Sequence, residues 1–420
     1  MFAKTLKLKI TLCFFIFILI FQCFPVVFAD DLIDENLSTD AYIFESLISE
    51  SSTSVANEPT VYSKNIIAID RLSNTILFEK NSKEKVPMAS TTKIMTCIIA
   101  LENSNLTDIV TVSKRAASIN GSKLGITEGM KISMNSLIYG LMLRSGNDCA
   151  IAIAEHISGS VDNFCLKMNQ KAYSLGLANT HFTSPHGLDD ENHYTSAYEL
   201  ALITNYALKN EKFKQIVSTH NTTIPLETSS ISIHNTNELL GNVEGVYGVK
   251  TGFTFNAGRC LVSCCKRNNL DVIVVVLGAD TKSLRTKDSI SIINYIFNNY
   301  KLIDTKEKLI SSFNNYSQIY KNNISVEKSI DLPSLRLEEK QNYIYPISNK
   351  ELDNFDIKIH CIQKLSCNTP INSQIGTISV YNSNKLLYTV NIYLGNSLNK
   401  KNVSYYFRYI LENYFNLMYI

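Results

Sequence analysis

The stretch Val86-Pro-Met-Ala-Ser-Thr-Thr-Lys-Ile-Met-Thr96 decides how this chain is read. Ser90 and Lys93 stand three residues apart in it, where residues 91–102 predict an apolar, buried helix. Residues at that spacing share a helix face one turn apart, so the Lys93 amine can reach Ser90 Oγ. A serine opening the helix also meets its positive end, which stabilises negative charge developing on Oγ. Lysine acts as a base only after losing its proton, and an exposed one holds that proton to a pKa of about 10.4. Burial and a second cation lower it, and Lys250 is the candidate cation. The result is a nucleophile, a base and an orienting group without histidine.

Serine and lysine at this spacing are a weak signal alone. Ser82-x-x-Lys85 repeats it, and Ser133-x-Asn135 imitates the second element, Ser145-Gly-Asn147. Ser145 and Asn147 fall at a break between helices, where Ser145 can relay a proton and Asn147 can hold an amide of a substrate or Lys93 itself. The third element, Lys250-Thr-Gly252, predicts a strand edge. Gly252 permits close backbone approach, Lys250 and Thr251 suit a terminal carboxylate, and the N–H groups of Ser90 and Phe253 would form an oxyanion hole.

In this order and context the elements resemble the low-molecular-mass penicillin-binding proteins that are serine-type D-alanyl-D-alanine carboxypeptidases. The likeness extends through LRSGNDCAIAIAE (143–155), FTSPHGLDDENHYTSAYELA (182–201), HNTNELL (234–240) and GVYGVKTGFTFNAGRCLV (245–262). It covers about residues 61–303, and the C-terminal layout matches more loosely. The resemblance implies a serine β-lactamase/transpeptidase-like α/β (α+β) catalytic domain, an antiparallel sheet flanked by helices with a helical subdomain. It implies removal of the terminal D-Ala from peptidoglycan stem peptides through an acyl-enzyme on Ser90, and covalent inhibition by β-lactams. Two positions depart from the family pattern: Tyr247 where Asp is frequent, and Phe253 where some members carry His. Three rival readings share these residues. A class A β-lactamase would use a Glu near an E-x-x-L-N segment, which the sequence lacks. A non-catalytic wall-binding protein would not be expected to keep all the motif residues. An endopeptidase cutting cross-links is barely separable by sequence.

Outward from the motifs, Asn65–Asp70 and Thr75–Phe78 predict two strands about a turn, Leu270–Leu277 a buried strand, and 284–300 a helix. Residues 134–174 predict helices broken near 144–148, and Ser196-x-x-Glu199 a capping box. Beyond about residue 305 the chain is polar, then alternates. Ile378 and Val380 oppose Thr377 and Ser379, an Asn382-Ser-Asn384 turn follows, and Tyr388, Val390, Ile392 and Leu394 alternate again. This predicts a hairpin in a small all-β domain.

At the N-terminus Lys4, Lys7 and Lys9 precede an apolar run, Ile10–Phe21, and Val27-Phe-Ala29 offers small residues at the expected cleavage positions. The run is shorter than the ~20 residues of a spanning helix, so a cleaved leader and export to the outer face of the cytoplasmic membrane are expected. At the C-terminus Ser404, Arg408, Glu412 and Asn416 form a narrow polar stripe on an otherwise apolar, aromatic helix led by Lys400 and Lys401. That pattern predicts a helix lying in a membrane surface. The expected division is a leader (1–29), an acidic linker (30–60), a catalytic domain (61–303), a linker and β-rich domain (304–399) and an amphipathic membrane helix (400–420).

Composition sets the outer bounds. The 420 residues carry 40 Lys+Arg against 38 Asp+Glu, a net charge of +2 that falls to −1 once the three leader lysines go. So small a charge argues against a nucleic-acid partner. An apolar fraction of 45% excludes whole-chain disorder. No cofactor or metal motif is present. Cys97, Cys149 and Cys165 read as core residues, Cys361 and Cys367 are close enough to bridge, and His186 and His193 read as structural.

Overall fold

The structure, a computed structural model, describes residues 57–418. The expected leader and the linker up to residue 56 lie outside the described residues. β1 (Asn65–Asp70) is buried at every position. Its side chains alternate between two cores, Ile67 and Ile69 into one and Ile66 and Ala68 into the other. β2 (Ile76–Lys80) pairs with it antiparallel. Two short hairpins not anticipated from sequence stand apart: β3 (Ile109–Thr111) with β4 (Lys131–Ser133), and β5 (Asn221–Pro225) with β6 (Ser230–His234). β7 (Val246–Thr254), β8 (Gly258–Arg267) and β9 (Leu270–Ala279) complete an antiparallel sheet in the order β2-β1-β9-β8-β7.

Helices cover both faces, which is why Val272–Leu277 is apolar throughout instead of alternating. Between β2 and β7 run α1 (Lys93–Asn103), α2 (Lys114–Ser118), α3 (Met134–Leu143), α4 (Asn147–Ser158), α5 (Val161–Ser174), α6 (Ala197–Ala207) and α7 (Glu211–Val217). They form the larger core with Ile67, Val249, Val262 and Ile273. The expected break falls at residues 144–146. A second follows at Gly159, whose φ of +72° ends α4 in the left-handed conformation a glycine adopts without penalty. On the opposite face α8 (Lys282–Asn299) packs Ile290, Ile293 and Ile296 against Ile66, Val272, Val274 and Val276. Each such buried aliphatic side chain contributes about 1.5–3 kcal/mol.

β10 (Tyr300–Asp304) leaves the unit built on the five-stranded sheet. The polar stretch that follows, expected as linker, forms an 18-residue helix, α9 (Lys306–Asn323). Its Leu309 and Phe313 are buried in a third core, with half-buried Tyr316 and buried Tyr320 next along the same face, an amphipathic stripe set in otherwise polar, Lys/Asn-rich sequence. β11 (Ser325–Glu327), β12 (Leu335–Leu337), β13 (Ile344–Ser348), β14 (Phe355–Cys361), β15 (Lys364–Ser366), β16 (Gln374–Asn382) and β17 (Lys385–Leu394) follow. Four of them form an antiparallel sheet, β12-β17-β16-β14, while β13 pairs with β10 and β15 with β11. Ser383 and Asn384 hold φ of +45° and +67°, the two left-handed residues a tight hairpin turn requires. Cys361 and Cys367 are free thiols. α10 (Val403–Met418) closes the described chain, with Arg408 and Glu412 paired at 3.1 Å.

Candidate active site

Ser90 lies in a single 3-10 turn, Ala89–Thr92, that runs directly into α1. It therefore precedes the α-helix by one turn instead of opening it. Ala89 holds φ at +47°, a left-handed conformation that costs a non-glycine residue about 1–3 kcal/mol. Thr91 Oγ1 donates to Met88 O at 2.6 Å and Thr92 Oγ1 to Ala89 O at 2.8 Å, so the turn is tied by its own side chains. Lys93 is 0% exposed; its Nζ donates to Ser90 Oγ at 2.7 Å and to His186 O at 3.0 Å.

The loop bearing His186 is the part of the site that the motifs did not announce. Thr96 Oγ1 donates to Pro185 O at 2.6 Å, fixing the loop on α1. Gly187, with φ +89°, lies so close to the Ser90 turn that a Cβ there would sit 1.9 Å from Ala89 O. Glu199 holds the loop's far end, accepting from the backbone N–H of Ala178 and Asn179 and, at 2.6 Å, from Thr180 Oγ1. Half of the expected capping box is therefore present. Glu199 N donates to Ser196 Oγ at 3.2 Å, while the Glu199 carboxylate turns to this loop and not to the Ser196 N–H. Burial, with the Lys93 charge second, drops the His186 pKa to about 3, so its imidazole is neutral.

Ser145 holds φ +61° in the turn between α3 and α4. Gly146 is needed there, because a Cβ would meet Asp148 Oδ1 at 2.8 Å and Cys149 Sγ at 2.9 Å. Asp148 locks the turn, accepting from Leu124 N at 2.9 Å and Gly125 N at 2.8 Å. Asn147 Nδ2 donates to Asn120 O at 2.7 Å, which ties the side chain to the 120–125 segment. Ser145 Oγ and Asn147 Oδ1 are buried with no hydrogen-bond partner among the described residues. Buried polar atoms in that condition are rare and cost free energy unless a ligand or water completes them.

The third element lies on β7, the edge strand, as expected. Gly252 backs directly onto the Ser90 turn: a Cβ there would sit 3.0 Å from Ser90 N and 3.2 Å from Ala89 Cβ. The glycine thus admits Ser90's own backbone to the strand, where the sequence had suggested only a substrate's. Lys250, 1% exposed, donates to Thr251 O at 2.9 Å, and Thr251 Oγ1 is 2.7 Å from Thr236 Oγ1. Phe253 carries the Arg259 guanidinium 3.7 Å above its ring and meets Phe255 edge-on. Tyr247 is engaged elsewhere: its hydroxyl donates to Asp271 Oδ1 at 2.7 Å and accepts from Arg71 Nη1 at 3.1 Å. Burial pushes that hydroxyl's pKa far up, so it stays a donor. The imitators have local duties: Ser82 Oγ donates to Glu79 and Ser133 caps α3.

The family model described as D-alanyl-D-alanine carboxypeptidase, peptidase S11, matches residues 52–281. The chain belongs to that family. Among its relatives, the D-alanyl-D-alanine carboxypeptidase DacF of Bacillus subtilis is 37% identical over 244 residues, 57% of this chain and 63% of DacF. The chain thus spans less than two thirds of that relative's length. The D-alanyl-D-alanine carboxypeptidase of Streptomyces sp. strain K15 is 34% identical over 279 residues, 62% of this chain and 96% of the relative. The crystal structure of penicillin binding protein 5 from Haemophilus influenzae aligns over its whole chain and 82% of this one, with TM-score 0.69 and 26% identity. This S11 likeness runs past residue 281, so the fold it supports includes the C-terminal β-sheet as well as the catalytic unit.

Proposed function

We propose that this S11 protein is a serine-type D-alanyl-D-alanine carboxypeptidase, acting on peptidoglycan stem peptides outside the cytoplasm and acylated by β-lactams. The observation that carries the reading is the 2.7 Å contact between Lys93 Nζ and Ser90 Oγ, both residues being buried and the Ser90 backbone lying against Gly252 of the edge strand. In this reading Ser90 Oγ attacks the carbonyl of the penultimate D-Ala, and Lys93, once it has given up its own proton, takes that of Ser90. The N–H groups of Ser90 and Phe253 receive the oxyanion. Ser145 passes a proton to the departing D-Ala amine, and Asn147 Oδ1, buried without a partner, accepts from a substrate amide. Lys250 and Thr251 bind the terminal carboxylate. Water then releases the acyl chain.

The test is D-Ala release from a D-Ala-D-Ala-ended peptide, with Ser90→Ala as control. No release by the wild type, or equal release by the variant, would sink the assignment, as would a labelled penicillin that fails to attach at Ser90.

The same reading takes residues 1–29 as a leader, 61–303 as the catalytic domain, 304–399 as the β-rich domain and 400–420 as a membrane-surface helix. Support for the last comes from α10, where Phe407 is 65% and Ile410 64% exposed and Leu411 also faces outward, an apolar face turned to solvent. No helix among the described residues is long and apolar enough to cross a membrane. Liposome binding that survives deletion of residues 403–420 would remove the surface-helix claim.

A further inference from the structure

His193 takes no part in the chemistry above, yet it is 3% exposed and its ring meets Thr92, two residues along the chain from Ser90. The backbone N–H of Thr183 donates to His193 Nδ1 at 3.0 Å. An N–H can only donate, so Nδ1 is the bare nitrogen and the ring proton is on Nε2. Nε2 lies 2.7 Å from Thr92 Oγ1. The hydrogen of Thr92 is already given to Ala89 O, at 2.8 Å. Every group in this chain therefore has one direction available: Thr183 N–H to Nδ1, Nε2–H to Thr92 Oγ1, Thr92 O–H to Ala89 O.

We propose that His193 is a positioning residue for Ser90, holding through Thr92 the carbonyl of Ala89 and with it the turn that presents the nucleophile. The inference rests on the reading of Ser90 as nucleophile. Ala89 is the strained residue at φ +47°, and its carbonyl is the atom against which Gly187 packs. A hydroxyl with a free rotor could hold or release that carbonyl. Once Nε2–H occupies its acceptor side, the Thr92 hydrogen is directed at Ala89 O. The imidazole keeps the same tautomer because burial, His181 and Lys93 oppose a second proton more strongly than Asp190 favours it, leaving its pKa at about 4. A protonated ring would turn an N–H at Nδ1 against the N–H of Thr183, and the chain would lose its direction. The ring is held edge-on to Phe182, so it cannot swing to another partner without opening the core.

Two substitutions separate the hydrogen-bond role from simple filling of space. Asparagine can place an acceptor where Nδ1 is but nothing where Nε2 is. Glutamine can place an N–H near Nε2. The second-order rate of acylation by a labelled penicillin is measured on the full chain for wild type, His193→Asn, His193→Gln, Thr92→Val and His193→Asn/Thr92→Val, alongside thermal melting. His193→Asn and Thr92→Val are expected to slow acylation by about 10–100-fold, the range that follows from losing one buried hydrogen bond. His193→Gln is expected within about threefold of wild type, and the double variant no slower than Thr92→Val alone. With a D-Ala-D-Ala peptide, kcat should fall while KM holds. Wild-type acylation in His193→Asn, equal losses in the Asn and Gln variants, or multiplying losses in the double variant would each overturn the proposal. If His193→Asn does not fold, a slow Thr92→Val beside a fast His193→Gln supports the same conclusion and the reverse pattern refutes it. A wild type that is not acylated at Ser90 would instead overturn the reading of the nucleophile.

Discussion

Gly187→Ala tests whether the loop at 182–193 is part of the active site or merely beside it. The new Cβ would lie 1.9 Å from Ala89 O and 2.6 Å from Thr92 Oγ1. Ordinary contact begins at 3.4 Å, so the loop must retreat by about 1.5 Å, because the obstacle is backbone. A retreat of that size carries His186 O, now 3.0 Å from Lys93 Nζ, out of hydrogen-bonding reach. The alanine also inherits φ +89°, at about 1–2 kcal/mol, and overpacking adds about 1–3 kcal/mol. Together these give a loss of about 2–5 kcal/mol, or about 4–20 °C in Tm for a unit of this size. Acylation by labelled penicillin should fall about 100-fold, as for other misplacements near 1 Å. Gly176→Ala is the control: it has φ +74° with no atom within 4 Å of the new Cβ, and should lose only the conformational part. If Gly187→Ala melts and acylates like Gly176→Ala, the loop is not pressed on the Ser90 turn and the argument fails.

Gly252→Ala should slow acylation about tenfold with little change in melting, since its Cβ meets the Ser90 backbone at 3.0 Å and only a few tenths of an ångström are needed; an unchanged rate would contradict the close approach. Tyr247→Phe removes a hydroxyl bonded to Asp271 and Arg71 and should cost about 1–2 kcal/mol in a urea melt, while KM for the peptide stays constant; a KM shift would place Tyr247 at the substrate. The histidines set an acid limit on stability. Burial holds His186 and His193 neutral down to about pH 3 and 4, whereas the unfolded chain protonates them near 6.5. Below pH 6.5 the unfolded state thus binds more protons, and stability should fall by up to about 1.4 kcal/mol per pH unit per histidine until the folded values are reached. Urea midpoints at pH 7.5 and 5 check this, and His193→Gln should halve the difference.

The motifs were legible because each is a run of neighbours: Ser90 to Lys93 within one turn, Ser145 to Asn147 at one break, Lys250 to Gly252 along one strand. Strands β1, β9, β16 and β17 were legible for the same local reason. What joins the motifs was not. His186 serves Lys93 with a backbone oxygen, which every residue type possesses, so the identity of residue 186 carries no signal for it. Ala89 and Ser145 adopt left-handed φ that their side chains do not favour; tertiary contacts impose it. Glu199 matched a capping box and then spent its carboxylate on residues 178–180, twenty positions away. Tyr247 departed from the family pattern, and only the structure revealed Asp271 and Arg71 as its partners.

The strand order has a consequence for how the chain reaches this state. β1 is sealed on one side by β2, its neighbour in sequence, but on the other by β9, with Asn65 opposite Leu277 about 200 residues later. A growing or threading chain that has delivered only β1 to β6 has no central sheet to fold onto. Pairing that waits on so distant a segment is slow. The polypeptide is thus kept open until nearly all of the chain up to β9 is available, and a fragment ending short of β9 leaves β1 with one bare, unpaired edge.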